Sequence, residues 1–143
     1  MTSPEITIRR LQSGDGKLFA RLNSVFASSI DDHEHYASAK PTASYLEDLL
    51  TRVHIIWVIA LSHRGSVVGG LVAYELDIYD IAVAEQFRRQ GLATRLIGYL
   101  CEIAKDRGAD VVYVQADQDD PPAIALYTKL GKREDVLHFD ITP

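Results

Sequence analysis

The run Arg88-Arg89-Gln90-Gly91-Leu92-Ala93-Thr94 has the residue types that a main-chain anion site needs. It follows an apolar stretch, Ile78, Ile81, Ala82 and Val83, and it opens a segment with helical periodicity. A helix leaves its first N–H groups without intrahelical partners and carries positive potential at that end, so a turn placed there can hold an anion. Gly91 would let the main chain approach the anion, Ala93 would keep bulk away, and Thr94 could add a hydroxyl. The same residues would equally make an ordinary strand-to-helix turn. They do not make a Walker loop, because no Lys-Ser or Lys-Thr follows the glycine, and the three glycines of a dinucleotide fingerprint are absent.

The other groups able to do chemistry are mostly carboxylates. Asp80 lies in the apolar stretch before the glycine turn, and Asp117, Asp119 and Asp120 follow a second apolar stretch. Asp120 precedes Pro121-Pro122, where it is expected to cap a helix with proline at its first positions. Asp31-Asp32-His33-Glu34-His35-Tyr36 reads as a solvated acidic loop, since its histidine spacing matches no common metal-ligand pattern. His54 and His138 sit in strand patterns and are expected to be core or edge residues without a chemical role. The single cysteine, Cys101, is expected to be a buried packing residue in the helix after the glycine turn, and no disulfide framework can form.

The arrangement Arg88-x-x-Gly91-x-Ala93, between an apolar strand and a helix, resembles the acetyl-coenzyme A pyrophosphate loop of the GNAT N-acetyltransferase superfamily. A second segment, Ala123-Ile124-Ala125-Leu126-Tyr127-Thr128-Lys129-Leu130-Gly131, resembles the other half of that superfamily's signature. Within it, the stretches IYDIAV, FRRQGLAT, YVQAD, DDPPAIALYTKLG and HFDI are similar to the aminoglycoside 3-N-acetyltransferases that act on gentamicin-type antibiotics. That similarity is dense in the C-terminal half and thin before it, resting there on SYLEDLL.

The resemblance implies a donor site, a base and an acid. Main-chain N–H groups of Arg89, Gln90, Gly91, Leu92, Ala93 and Thr94, with Arg88 beside them, would hold the pyrophosphate of acetyl-coenzyme A. Those near Ile81, Ala82 and Val83 would hold the pantetheine arm and polarise the thioester carbonyl. Tyr127 matches the superfamily tyrosine near the cofactor sulfur and would act as general acid; Asp80 stands where the similar enzymes place an aspartate beside the acceptor amine, as general base. Glu75, Asp117, Asp119 and Asp120 would line the acceptor mouth with Asp80 and suit a cationic aminoglycoside. Direct transfer in a ternary complex, conferring antibiotic resistance, and a homodimer are what the resemblance implies further. Two rivals stay open: an acetyltransferase for a polyamine, another small molecule or a protein amine, and an acyl-coenzyme A-binding module without the reaction.

Composition bounds these readings. At 143 residues and 47% hydrophobic, residues 1–143 are expected to form one domain. The formal net charge of −5 disfavours nucleic acid as a partner and suits a cationic one. The opening residues MTSPEITIRR carry no basic-then-apolar leader pattern, and no apolar run approaches spanning length, so a cytoplasmic protein without membrane or metal is expected.

The elements that must position these groups follow from periodicity. Glu5–Arg10 alternates as a first strand, and Ser13 is expected to cap a helix with Leu18, Phe19, Leu22, Val25 and Phe26 on one face. A short helix is expected around Tyr45, Leu46, Leu49 and Leu50. HIIWVIAL from His54 to Leu61 reads as a buried central strand returning through His63-Arg64-Gly65-Ser66 into the next. From Val67 to Val83 no Asn-Gly or proline marks a turn, although an unbroken strand of that length would span about 55 Å. The chain must therefore bend near Glu75-Leu76-Asp77; because the similar enzymes carry a longer charged hairpin there, a loop missing from the sequence near Leu76-Asp77 is expected. A helix from Gln90 to Arg107 presents Leu92, Leu96, Ile97, Leu100, Ile103 and Ala104 to the core, Asp110–Ala116 reads as a central strand, and Arg133–Ile141 as a last strand. The implied fold is α/β: a mixed, mostly antiparallel sheet with helices on both sides. In the GNAT fold the cofactor sits between two splayed central strands.

Overall fold

The computed structural model describes residues 5–29 and 41–143. Five strands form one sheet in chain order: β1 (Ile6–Arg10), β2 (Ile55–Ser62), β3 (Val67–Tyr74), β4 (Asp77–Val83) and β5 (Tyr113–Val114). The first four are antiparallel to their neighbours, and β5 is parallel to β4. The α/β class, the mixed and mostly antiparallel sheet and the flanking helices are as the periodicity and the resemblance imply. The acidic stretch Asp31–Tyr36 lies outside the described residues.

Two apolar clusters explain why the sheet is covered on both faces. Helices α1 (Gly16–Ser29) and α2 (Ala43–Leu50) bring Phe19, Leu22, Phe26, Leu46 and Leu50 against Trp57, Ile59, Val72 and Ala82. Helix α3 (Leu92–Asp106) covers the opposite face with Leu92, Leu96, Ile97 and Leu100, and Leu126 and Tyr127 of α4 (Pro121–Leu130) pack beside it. Strand β2 is buried on both sides along Ile55–Ala60, which its unbroken apolar run required.

The start of α1 is held differently from expectation. Ser13 does not cap it; the helix begins after Asp15, whose carboxylate instead accepts from Gln12 N–H at 2.8 Å and from Arg9 at 2.9 and 3.1 Å. The amides of Gly14 and Gly16 both donate to the Glu47 carboxylate of α2, each at 2.8 Å. A Cβ on Gly16 would lie 2.8 Å from that carboxylate, so the close approach needs glycine. An anion at a helix N-terminus also meets the positive end of the dipole. Replacing Glu47 with Ala leaves two amides without their partner, and we expect urea unfolding to show a loss of about 1–3 kcal/mol.

The hairpin between β3 and β4 corrects the expectation of a missing loop. Tyr74 pairs directly with Asp77, and Glu75 and Leu76 form a two-residue turn with both φ angles positive, +49° and +73°. Such a turn matches strand twist but normally uses Asn-Gly, and left-handed backbone at an ordinary residue costs about 1–2 kcal/mol. Three contacts offset the strain: Glu75 N–H donates to His54 O at 2.8 Å, Leu76 O accepts from Tyr113 N–H at 2.9 Å, and the Leu76 side chain packs on the core.

Three further expectations give way. Cys101 is exposed, because the buried stripe of α3 runs through Leu100 and Ala104 and leaves position 101 turned outward. The strand expected over Asp110–Ala116 pairs only at Tyr113–Val114 and is the edge of the sheet, not its centre. Residues 133–141 form no strand: Val136, Leu137, Phe139 and Ile141 are 72–89% exposed, and His138 meets only Asp140, at 3.0 Å. No helix among the described residues is long and apolar enough to cross a membrane, and no described group of His, Cys, Asp and Glu could hold a metal ion.

Candidate active site

A single 3-10 turn, Glu85–Phe87, carries the chain off the end of β4 toward α3. Arg88 is extended and its Nε donates to Val83 O at 3.0 Å, tying the turn to the strand it leaves. Arg89 and Gly91 then take positive φ, +63° and +75°. Gly91 is the N-cap of α3 and offers no side-chain acceptor; the first intrahelical bond is Arg95 N–H to Gly91 O, at 3.1 Å. The amides of Leu92, Ala93 and Thr94 therefore have no acceptor within the helix. Leu92 is buried and anchors the turn, whereas Arg88, Arg89, Gln90, Gly91 and Thr94 are exposed. A Cβ at Gly91 would meet nothing within 4 Å, so glycine is needed for its φ and the space before the helix is open.

The sheet opens beside this turn. Strands β4 and β5 pair only at Asp77 with Tyr113 and Ile78 with Val114, and then separate. Ala84 N–H donates to Val68 O at 2.7 Å. In an antiparallel ladder alternate residues share their main-chain bonds with one neighbour, so Ala82 and Asp80 face β3 in that respect. Ile81 and Val83 direct their main-chain groups toward the side that β5 has left. The bond from Arg88 to Val83 O agrees with that parity.

A β-bulge sets the direction of Asp80. Val72 pairs with Asp80 and Ala73 with Ile78, which leaves Tyr79 as the extra residue. Without it, Asp80 would share the face of Ile78; with it, Asp80 follows Val72 and Ala82 onto the face covered by α1 and α2. There it is half-buried, near Tyr74. Burial raises the Tyr74 phenol above its usual value, and Tyr79, Asp80 and Tyr45 add to the rise. The Tyr74 and Tyr79 rings pack edge to face with centroids 5.5 Å apart. The sequence reading gave these tyrosines no role: Tyr74 and Tyr79 become neighbours only through the tight hairpin and bulge, though strand alternation across that turn would have paired them.

Tyr127 lies on the other face of the sheet. It is half-buried on α4 against the cluster that holds Ile78 and Leu92. Burial, with a smaller contribution from the Asp120 charge, raises its phenol above the ordinary value of 10.0. Asp120 caps α4 as expected, accepting from Ala123 N–H at 3.3 Å. Asp117, Asp119 and Asp120 follow the C-terminal end of β5, beside the opening, while Glu75 stands in the turn before β4. Because β4 and β5 run parallel and Ile78 pairs with Val114, Glu75 lies about 10 Å along the strand before that end.

An open, amide-lined helix start lies beside a parted pair of strands, an arrangement with the chemistry to take a long anionic cofactor. The chain matches the acetyltransferase (GNAT) family over residues 22–132, more than half its length, and belongs to that family, whose members take acetyl-coenzyme A as donor. It is similar to an aminoglycoside acetyltransferase from an uncultured soil metagenomic sample, with 42% identity, 97% of this chain and 99% of that one covered, and a TM-score of 0.92. A second aminoglycoside acetyltransferase from an uncultured soil metagenomic sample, solved in complex with sisomicin, is 29% identical over 96% of each chain, with a TM-score of 0.85. N-alpha-acetyltransferase 30 of Schizosaccharomyces pombe is 30% identical over 69 residues, which is 48% of this chain and 42% of that protein. The chain spans about half the length, or less, of the curated relatives it matches.

Proposed function

We propose that this chain transfers an acetyl group from acetyl-coenzyme A to the 3-amino group of an aminoglycoside, directly and in a ternary complex, and so confers resistance. The observation that carries the reading is the pairing of open amides at the start of α3 with the gap between β4 and β5. The absence of a capping side chain at Gly91, and the room around its α-carbon, support a diphosphate at this turn. Full-length similarity to an aminoglycoside acetyltransferase supports the acceptor class.

The cofactor supplies an activated acyl carbon and a thiolate leaving group. N–H groups from Arg89 to Thr94 hold its diphosphate, and main-chain groups at Ile81 and Val83 receive its arm and polarise the thioester oxygen. Asp80 takes a proton from the acceptor ammonium, which frees the nitrogen lone pair to attack. Tyr127 would give its phenolic proton to the departing sulfur from the opposite face of the sheet, and the second proton, which the nitrogen sheds on becoming an amide, would return through solvent to the phenolate. Asp117, Asp119 and Asp120, with Glu75 further along the strand, pair with further amines of the acceptor. The working unit is a homodimer.

Thr94 offers a clean test of the donor turn. A Glu there sits in the first turn of α3, where its charge favours the helix dipole. The same charge opposes a diphosphate, so we expect calorimetry to show acetyl-coenzyme A affinity falling roughly 10- to 100-fold while the thermal midpoint holds or rises. The acceptor is tested by thiol release with gentamicin, kanamycin, spermidine and a lysine peptide, followed by NMR of the product to locate the new amide. Similarity to N-alpha-acetyltransferase 30 keeps a protein amine as the second reading, and turnover of the peptide alone would replace the first.

A further inference from the structure

The bulge in β4 does more than turn Asp80. Tyr74 stands two residues after Val72 on β3, so it shares the face of Val72 and of Asp80, which pairs with Val72. Asp77 pairs with Tyr74 and lies on that face as well. Asp77 and Asp80 are three residues apart, a spacing that an unbroken strand sends to opposite faces. The extra residue, Tyr79, returns both carboxylates to one face, about 7 Å apart along the strand.

Tyr79 itself packs against Tyr74, the two rings standing at 87° to each other and so bounding a corner. Tyr79 is 72% and Tyr74 44% exposed, and Tyr45, 54% exposed in the first turn of α2, is near enough to raise the Tyr74 phenol. Packing does not account for these rings, because none of the three tyrosines belongs to either apolar cluster of the sheet. Aromatic faces attract cations, and the two carboxylates give the same patch a negative charge. An amine that reaches Asp80 on this face meets Tyr74 and Tyr79 beside it. A rigid ring can lay its C–H face on such a corner with little loss of freedom, whereas a flexible chain must give up its rotors to do so.

We propose that Tyr74 and Tyr79 form the wall on which an amine-bearing ring of the acceptor rests while its nitrogen reaches Asp80, and that this wall selects an amine carried on a ring over one carried on a flexible chain. The proposal rests on the reading that puts the acceptor amine at Asp80, and it adds the residues that choose the acceptor.

The test is calorimetric titration of gentamicin, and separately of spermidine, into the protein loaded with coenzyme A. Tyr79→Leu keeps apolar bulk and removes the ring; Tyr79→Phe keeps the ring and removes the hydroxyl. Because Tyr79 is mostly exposed, the thermal midpoint of both variants is expected to hold. Gentamicin affinity is expected to fall about 5- to 30-fold in Tyr79→Leu and to stay within about 3-fold of the parent in Tyr79→Phe, with a smaller change for spermidine in Tyr79→Leu. Gentamicin affinity indifferent to Tyr79→Leu, equal weakening of both ligands, or no saturable binding of gentamicin to the parent would overturn the proposal. Binding is read without acetyl transfer, and thiol release reads transfer separately. Gentamicin held through Tyr79 but never acetylated would leave the wall standing and remove the catalytic reading; gentamicin acetylated with an affinity that ignores Tyr79 would do the reverse.

Discussion

Replacing Asp80 with Asn is expected to lower kcat/KM for the acceptor by about 10²- to 10⁴-fold at pH 7, the range that a positioned base usually contributes. The acceptor nitrogen arrives mostly as an ammonium, which has no lone pair to attack with. Asn keeps the shape and the hydrogen-bonding oxygen of Asp but neither the charge nor the proton affinity. Two losses then combine: weaker attraction of the cation and slower generation of the free amine. As pH approaches the pKa of the amine, more acceptor arrives neutral and the deficit of the variant should narrow. A pH series of kcat/KM for both enzymes checks this; a variant as active as the parent at pH 7 would remove Asp80 from the proton path.

Tyr127→Phe is expected to lower kcat by about 10²-fold or more and leave acetyl-coenzyme A affinity nearly unchanged. The phenol ring packs on the core, so Phe retains the contact and loses only the oxygen. The sign of the pKa shift matters here. Burial and the Asp120 charge both disfavour phenolate, so the folded-state value lies above 10.0 and the proton is present throughout the neutral range. Loss of activity through this group therefore begins only on the alkaline side of the ordinary tyrosine value, and a rate still rising at pH 9 is consistent with it. Stopped-flow turnover and donor titration separate the two parameters, and equal turnover in the variant would leave the thiolate with another proton source.

Much of the framework was legible before any coordinates. The apolar run Ile55–Ala60 and the stripe Leu92, Leu96, Ile97, Leu100 state their burial directly, because period and apolarity alone decide them. The glycine turn was legible as a helix start with open amides, since such amides lack partners wherever the cap has no acceptor. What stayed hidden depended on partners distant in sequence. Glu75-Leu76 bends without turn residues because His54, Tyr113 and the core hold it, and nothing in the local sequence reports those contacts. The bulge at Tyr79, which decides the face Asp80 occupies, is likewise a property of the register with β3. Ser13 was the plausible cap by type, but a carboxylate 31 positions beyond Gly16 reaches the same helix start. Residues 133–141 alternate as a strand does, yet alternation alone supplies no edge to pair with.

The Glu47 clasp fixes the N-terminal end of α1, at Gly14 and Gly16, to α2, so the two helices are joined by a contact outside the connection between them. With the helices held by that contact, each doubling of the connecting length costs only about 0.6 kcal/mol. A lineage carrying this clasp is free to lengthen, shorten or rewrite that connection at little thermodynamic risk. The cover that α1 and α2 give to one face of the sheet is thus inherited independently of the segment between them.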